Sequence, residues 1–278
     1  MKYLLQIIAA LVLIVIGKYF GSDELRPEFV GTGLVMLVVL LTVELVYDII
    51  INRKRIWLVV RCSLIALRGD YIRFSMSYLY RIKVNDKYLL IKNSNWDHYQ
   101  HVGGKYKRIG LTQKILNDFE AIDDLKMPTN GLKKDDLAVF VPAKNAIKFI
   151  DWFNSGKDRE ISHWREFYEE LIEGKGKLLD QKTFPYVNYN LRKSVITPLK
   201  RASNWDCWEI LQYDVLDLLP AKEQERMLED LCQKGDTDYI KWADTALIQS
   251  LGFDSRQSRT LYKIGEHTKW ALNLKWSK

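Results

Sequence analysis

Apolar residues follow two patterns along this chain. At the start come two long unbroken runs, Tyr3 to Phe20 (YLLQIIAALVLIVIGKYF) and Val30 to Ile51 (VGTGLVMLVVLLTVELVYDIII); afterwards the apolar segments are shorter and alternate with polar ones. As helices the runs extend about 27 Å and about 33 Å at ~1.5 Å per residue, close to the thickness of a bilayer's hydrocarbon core. Residues 1–52 are therefore expected to form a hairpin of two transmembrane helices. A signal peptide competes for the first run, but no small-x-small cleavage site follows and the second run soon begins. Asn52-Arg53-Lys54-Arg55 closes the second run, whereas the connecting GSDELRPEF carries three acids and one arginine. The positive-inside rule then places both termini in the cytoplasm. Ile56 to Leu67 is apolar but short and broken by Arg61, so residues 53–70 read as a connector.

From Tyr71 the period changes. YIRFSMSYLYRIKV alternates, Asn85-Asp86 makes a turn and Lys87–Lys92 (KYLLIK) resumes the alternation, which is the pattern of a strand hairpin. A short strand is expected at Tyr99–Val102, ending in Gly103-Gly104. Helices are expected at 111–122, 144–153, after Ser162, at 222–233 and at 239–251; strands at 137–141, 178–187 and 205–213; and a turn at 128–131. Residues 71–278 thus read as one mixed α/β domain without repeats or long linkers.

Charge adds a preference for partners. Taking the three basic and five acidic residues of the first 52 from the totals of 42 and 35 leaves the rest with a formal charge of about +9. Such an excess favours anions: nucleotides, nucleic acid or an acidic leaflet. Cys62, Cys207 and Cys232 are too few and too scattered for a disulfide framework or a cysteine zinc site, as suits a reducing compartment.

Two segments carry candidate chemistry. In Arg165-Glu166-Phe167-Tyr168-Glu169-Glu170, Glu166 and Glu170 lie four apart on one helical face, an arrangement able to hold a hard cation or simply to form an exposed acidic face. Upstream, YLLIKNSNWDHYQHVGGKYKRIG runs into a glycine turn followed by bases. The backbone amides of Gly103 and Gly104 and the cations Lys105, Lys107 and Arg108 are candidates for phosphate, and Trp96, Tyr99 and Tyr106 for base stacking. In the second apolar run, Glu44 and Asp48 share a face where an ionised carboxylate is costly, so they are candidates for assembly between spans.

The combination of YLLIK, YQHVGGKYK and WFNSGKDRE with a later REFYEEL resembles the Nudix-like domain associated with bacterial cyclic-oligonucleotide (CD-NTase, CBASS) antiphage systems, in which two N-terminal transmembrane helices precede the domain. That resemblance implies a membrane-anchored α/β protein whose Nudix-like mixed-sheet domain is flanked by helices. The ordinary Nudix box departs here: counting back from Arg165, Lys157 stands where its first glutamate belongs, Asp151 where its glycine belongs, and Ile172 at the second glycine. The domain is therefore expected to be a sensor rather than an enzyme, with no metal and no required cofactor, and with Glu166, Glu169 and Glu170 a vestige of the hydrolytic site. The implied partners are a cyclic di- or trinucleotide as activating ligand, further copies of the chain, the lipid bilayer and a functionally linked nucleotidyltransferase, with no nucleic-acid polymer. The implied role is an inner-membrane effector that binds the messenger, oligomerises, disrupts the membrane and causes abortive infection. The alternatives are an anchored hydrolase of nucleoside-diphosphate derivatives, an effector held silent by bound nucleotide, and a tethered scaffold with no ligand.

Overall fold

The computed structural model describes residues 4–124, 135–202 and 205–274. The chain divides into two units, residues 1–61 and 62–278.

The first unit is built on two helices, α1 (Leu4–Phe20) and α2 (Arg26–Ala66). Their approach is close where side chains vanish: a Cβ on Gly33 would lie 2.8 Å from the Ala10 carbonyl oxygen, and one on Gly17 2.8 Å from the Cβ of Phe29. Gly31, by contrast, faces open space and plays no part in this packing. Of the two helices, α2 alone is long and apolar enough to cross a membrane; α1 is a shorter apolar helix. The expected connector is no separate element. Helix α2 runs 41 residues through the basic Arg53-Lys54-Arg55 and on to Ala66, because nothing between them breaks a helix.

The second unit is centred on a mixed sheet with strand order β5-β6-β1-β9-β7, comprising β1 (Tyr71–Arg81), β5 (Ile122–Asp123), β6 (Ala138–Pro142), β7 (Tyr189–Ile196) and β9 (Trp208–Leu218). The pairing of β1 with β9 is parallel, from Ile72 opposite Trp208 to Arg81 opposite Asp217. The short β8 (Lys200–Arg201) pairs with β9. A smaller antiparallel sheet joins β2 (Lys83–Val84), β3 (Lys87–Lys92), β4 (Tyr99–His101) and β10 (Ile240–Ala243). A last hairpin pairs β11 (Phe253–Asp254) with β12 (Arg259–Thr260).

The hairpin expected at 71–92 holds only around its turn: β2 (Lys83–Val84) pairs with β3, whereas β1 leaves for the main sheet, between β6 and β9. Asn85 and Asp86 take positive φ, 47° and 63°, the conformation that a two-residue turn between twisted strands demands. Its alternation, however, does not mark an exposed face. Every residue of β1 from Ile72 to Tyr80 is buried, and the polar Arg73 sits inside a salt-bridge network with Asp124 (2.7 Å) and Glu209 (3.2 Å).

Helices α3 (Thr112–Asp118), α4 (Ala146–Ser155) and α6 (Lys222–Lys234) fall close to their expected positions. Two expectations fail. Residues 178–187 form turns rather than a strand: Leu179, Phe184 and Val187 plug the core singly, and Gln224 Nε2 donates to the carbonyls of Thr183 and Tyr186. The helix expected at 239–251 is half strand, β10, which pairs with β3, followed by the short α7 (Thr245–Gln249) and, later, α8 (Thr268–Ala271). The expected turn at 128–131 lies outside the described residues.

Candidate functional site

The glycine turn lies against β1. Tyr78 and Tyr80 donate backbone amides to the carbonyls of Gly104 and Val102, and Tyr106 donates to that of Met76. This close pairing explains Gly103: its φ is +141°, and a Cβ there would fall 2.1 Å from the Tyr78 carbonyl oxygen. On its other side the turn meets the carboxylate helix, α5 (Trp164–Phe167), which widens into a π-helical turn at Tyr168–Ile172. The Gly103 amide donates to Glu170 Oε2 at 2.8 Å, and a Cβ on Gly104 would strike the Glu166 carboxyl at 2.3 Å. Two segments that lie some sixty residues apart in sequence are therefore one structural unit. The glycines are needed for contact with β1 and with carboxylates, and Gly103's amide is already committed to Glu170 rather than turned to a phosphate.

Arg165 holds the helix to the turn. Its guanidinium engages Glu160 at 3.0 Å, Glu166 at 2.7 Å, Glu169 at 3.2 Å and the Lys105 carbonyl at 2.7 Å. Glu160 was not a sequence candidate. It stands in the loop before the helix, and its Oε2 also accepts the Lys107 amide at 2.7 Å. No helical or strand spacing links it to Arg165, so only the folded loop reveals it. The second glycine of the box is likewise replaced two residues later: Ile172 is core, and a Cβ on Gly174 would lie 2.6 Å from the Glu169 carbonyl oxygen. The π-helical turn carries the helix to that later glycine; such turns concentrate at functional sites.

Acids outnumber cations here, and burial acts on the excess. Burial pushes the Glu170 carboxyl well above the usual carboxylate range; the neighbouring Glu166 charge adds to this and the Gly103 amide opposes it. Glu166 is also raised by burial, against the pull of Arg165. Among the described residues, no three histidine, cysteine or acidic side chains come together as a metal-holding group.

The cations after the turn face acids. Lys107 Nζ lies 2.5 Å from Asp136, Lys105 4.0 Å from the same carboxylate, and Arg108 2.7 Å from Asp123. A phosphate reaching them must exchange with these partners. The aromatic candidates separate. Tyr106 is 1% exposed, its hydroxyl bonded to Asp214 and to His163 Nε2, so it is core and not a stacking platform. Tyr99 is also core, its hydroxyl donating to the Asp238 carbonyl. Trp96 alone of the three is open, at 52%, in a loop pinned by Asn93 Oδ1, and no described hydrogen bond or ring contact joins it to the cations. His163, wedged among Tyr78, Tyr106 and Tyr189, is held down at about 4 by burial.

In α2, Glu44 is half-buried and Asp48 one turn on is exposed.

No curated protein and no solved structure matches the chain. A family model does, over residues 71–272, the span that holds both sheets, the glycine turn and the carboxylate helix; the chain belongs to the SMODS-associated NUDIX domain family.

Proposed function

We propose that this chain is a membrane-anchored, non-hydrolytic nucleotide sensor and an effector of a cyclic-oligonucleotide antiphage system. Family membership supports the association with such systems. The observation that carries the sensor reading is the engagement of the carboxylates within the protein: Glu166 and Glu169 are bridged by Arg165, and Glu170 is bonded to the Gly103 amide. A hard divalent cation needs accessible carboxylate oxygens, so this arrangement suits a rigid wall of a binding domain better than metal-assisted hydrolysis. A cyclic di- or trinucleotide would place its phosphates at Lys105, Lys107 and Arg108, displacing Asp136 and Asp123, with Trp96 offering an open ring to a base. In this reading α1 and α2 both cross the inner membrane with the termini in the cytoplasm, and binding drives oligomerisation and membrane disruption. Glu44 and Asp48 bias the spans toward partners.

Calorimetry of the detergent-solubilised chain against cyclic di- and trinucleotides tests the reading. Saturable binding that is weakened about tenfold or more by Lys105→Ala with Lys107→Ala supports it; no binding to any member of the panel sinks it. The hydrolase reading keeps one observation in its favour, the gathering of Glu166, Glu169 and Glu170 beside Gly103-Gly104 although some sixty residues separate the two segments. Metal-dependent turnover of nucleoside-diphosphate compounds, lost in Glu169→Gln, would establish it. An effector silenced by its ligand would instead be toxic when expressed alone.

A further inference from the structure

Helix α2 bears an apolar row that α1 leaves uncovered. Val39, Val43, Val46, Ile50, Trp57 and Val60 follow one another by steps of four and three, with Arg53 the single polar member, and Leu64 continues the same row. Such spacing, sustained over more than three heptads, is the seam of a left-handed coiled coil. At ~100° per residue the row lies on the side of α2 turned away from Gly33, the point of contact with α1. Lipid would cover its first half. Beyond Arg53-Lys54-Arg55, however, Trp57, Val60 and Leu64 are 63%, 43% and 59% exposed, at and past the level where the bilayer ends.

We propose that this row is the interface of a parallel dimer between two copies of α2, present without nucleotide. The inference rests on α2 being a membrane span. Two copies inserted in one bilayer share a direction, so their α2 helices meet in parallel, and a heptad row is self-complementary about a two-fold axis. The flanking positions fit the same occupant. In a parallel pair Lys54 falls beside the other copy's Ile49, and Arg61 beside its Ile56, so aliphatic stems cover apolar residues and no flanking cation faces another. Arg53 meets its own copy, at the depth where acidic headgroups offset the repulsion. An indole buries on the order of 150–250 Å² when enclosed. Two Trp57 rings plus Val60, Leu64 and the intramembrane half bring the contact within reach of the ~1,200 Å² of a stable interface.

Cysteine scanning of positions 56 to 64, in full-length chain with Cys62, Cys207 and Cys232 replaced by serine and reconstituted in phosphatidylethanolamine–phosphatidylglycerol vesicles, tests this directly. Oxidative cross-links are expected at Trp57→Cys, Val60→Cys and Leu64→Cys, and at least tenfold fewer at Leu58→Cys, Val59→Cys and Arg61→Cys. Uniform labelling of all nine positions, or cross-links on the opposite phase, would overturn the seam. Single-molecule photobleaching of the chain with its native cysteines reports the same point independently: two-step traces without nucleotide are expected, and one-step traces refute the dimer. Because no nucleotide is added, failure here leaves the sensor reading standing, and failure of nucleotide binding leaves the dimer standing.

Discussion

Two arginine-centred networks in the second unit use the same ingredients to opposite ends. Arg73 lies in the main sheet between Asp124 and Glu209, all three almost wholly buried, with Trp205 stacked on the guanidinium at 4.3 Å. Arg165 lies at the glycine turn among Glu160, Glu166 and Glu169, with Glu170 just behind, and remains partly open to water. The first network has two acids for its arginine and is sealed; the second has four carboxylates around one arginine. Where charge is nearly balanced, burial locks a network into a structural fixture. Where acids are in excess, burial raises carboxyl groups toward their neutral form, leaving a site whose charge is adjustable.

Four measurements can break or sharpen that contrast. The largest effect belongs to the sealed network: Arg73→Ala withdraws the cation from two buried carboxylates and should cost about 3–5 kcal/mol, read as a lower urea midpoint. A loss under about 1 kcal/mol would show that this network is not structural. Next comes acid. His163 is neutral when folded, so unfolding takes up a proton below its ordinary value of 6.5, and its contribution, full above that value, fades as the pH falls toward about 4. Over that window the wild type should lose roughly 2–3 kcal/mol more than His163→Phe, in which the buried His101 and His267 still titrate, visible in paired melts at pH 7 and pH 4.5.

Glu170→Gln probes the open network and should behave in the reverse sense. Its raised carboxyl stabilises the fold in acid, and that contribution is lost as the pH rises through the folded value. The amide keeps an acceptor for Gly103 without the charge. The variant should therefore gain on the order of 1 kcal/mol at pH 8 relative to wild type and lose the difference near pH 4; a loss at pH 8 would mean that the carboxylate is held ionised. Smallest is the exposed Lys144–Glu120 pair, where Lys144→Ala should change stability by less than about 0.5 kcal/mol and sets the floor for the other three.

Much of this arrangement was legible in the residues, for identifiable reasons. The turn at Asn85-Asp86 announced itself because this is one of the few pairs that accept positive φ at both turn positions, whereas the departure of β1 to the main sheet left no mark in the alternation. The helix after Ser162 was legible because Trp164, Phe167, Leu171 and Ile172 recur at helical spacing, though its widening into a π-helical turn was not. Strand β7 was not: it is held at the sheet edge by β9 with a register shift between Leu191 and Lys193, so Asn190, Leu191 and Arg192 are exposed in a row and burial alternates only from Lys193 on. β10 was hidden because its four residues are too short a run to establish a strand period just before α7, until β3 pairs with it. Half of the site escaped for the same reason, since Glu160 and the glycine turn meet Arg165 and Glu170 only through tertiary contact. The aromatic candidates misled because Tyr99 and Tyr106 look alike in sequence whether they line a groove or fill a core.

The hydrogen bond from Gly103 to Glu170 joins residues 67 positions apart. In kinetic terms it closes a large loop, whose entropy must be overcome before the contact returns any stability, so local folding of either segment cannot produce it. The site then exists only while the fold brings the glycine turn and the carboxylate helix together, and separation of those two segments dissolves it. The amide proton of Gly103 is thus a built-in reporter: its exchange with deuterated solvent should track separation of the turn from the carboxylate helix rather than fraying of the turn on which it sits.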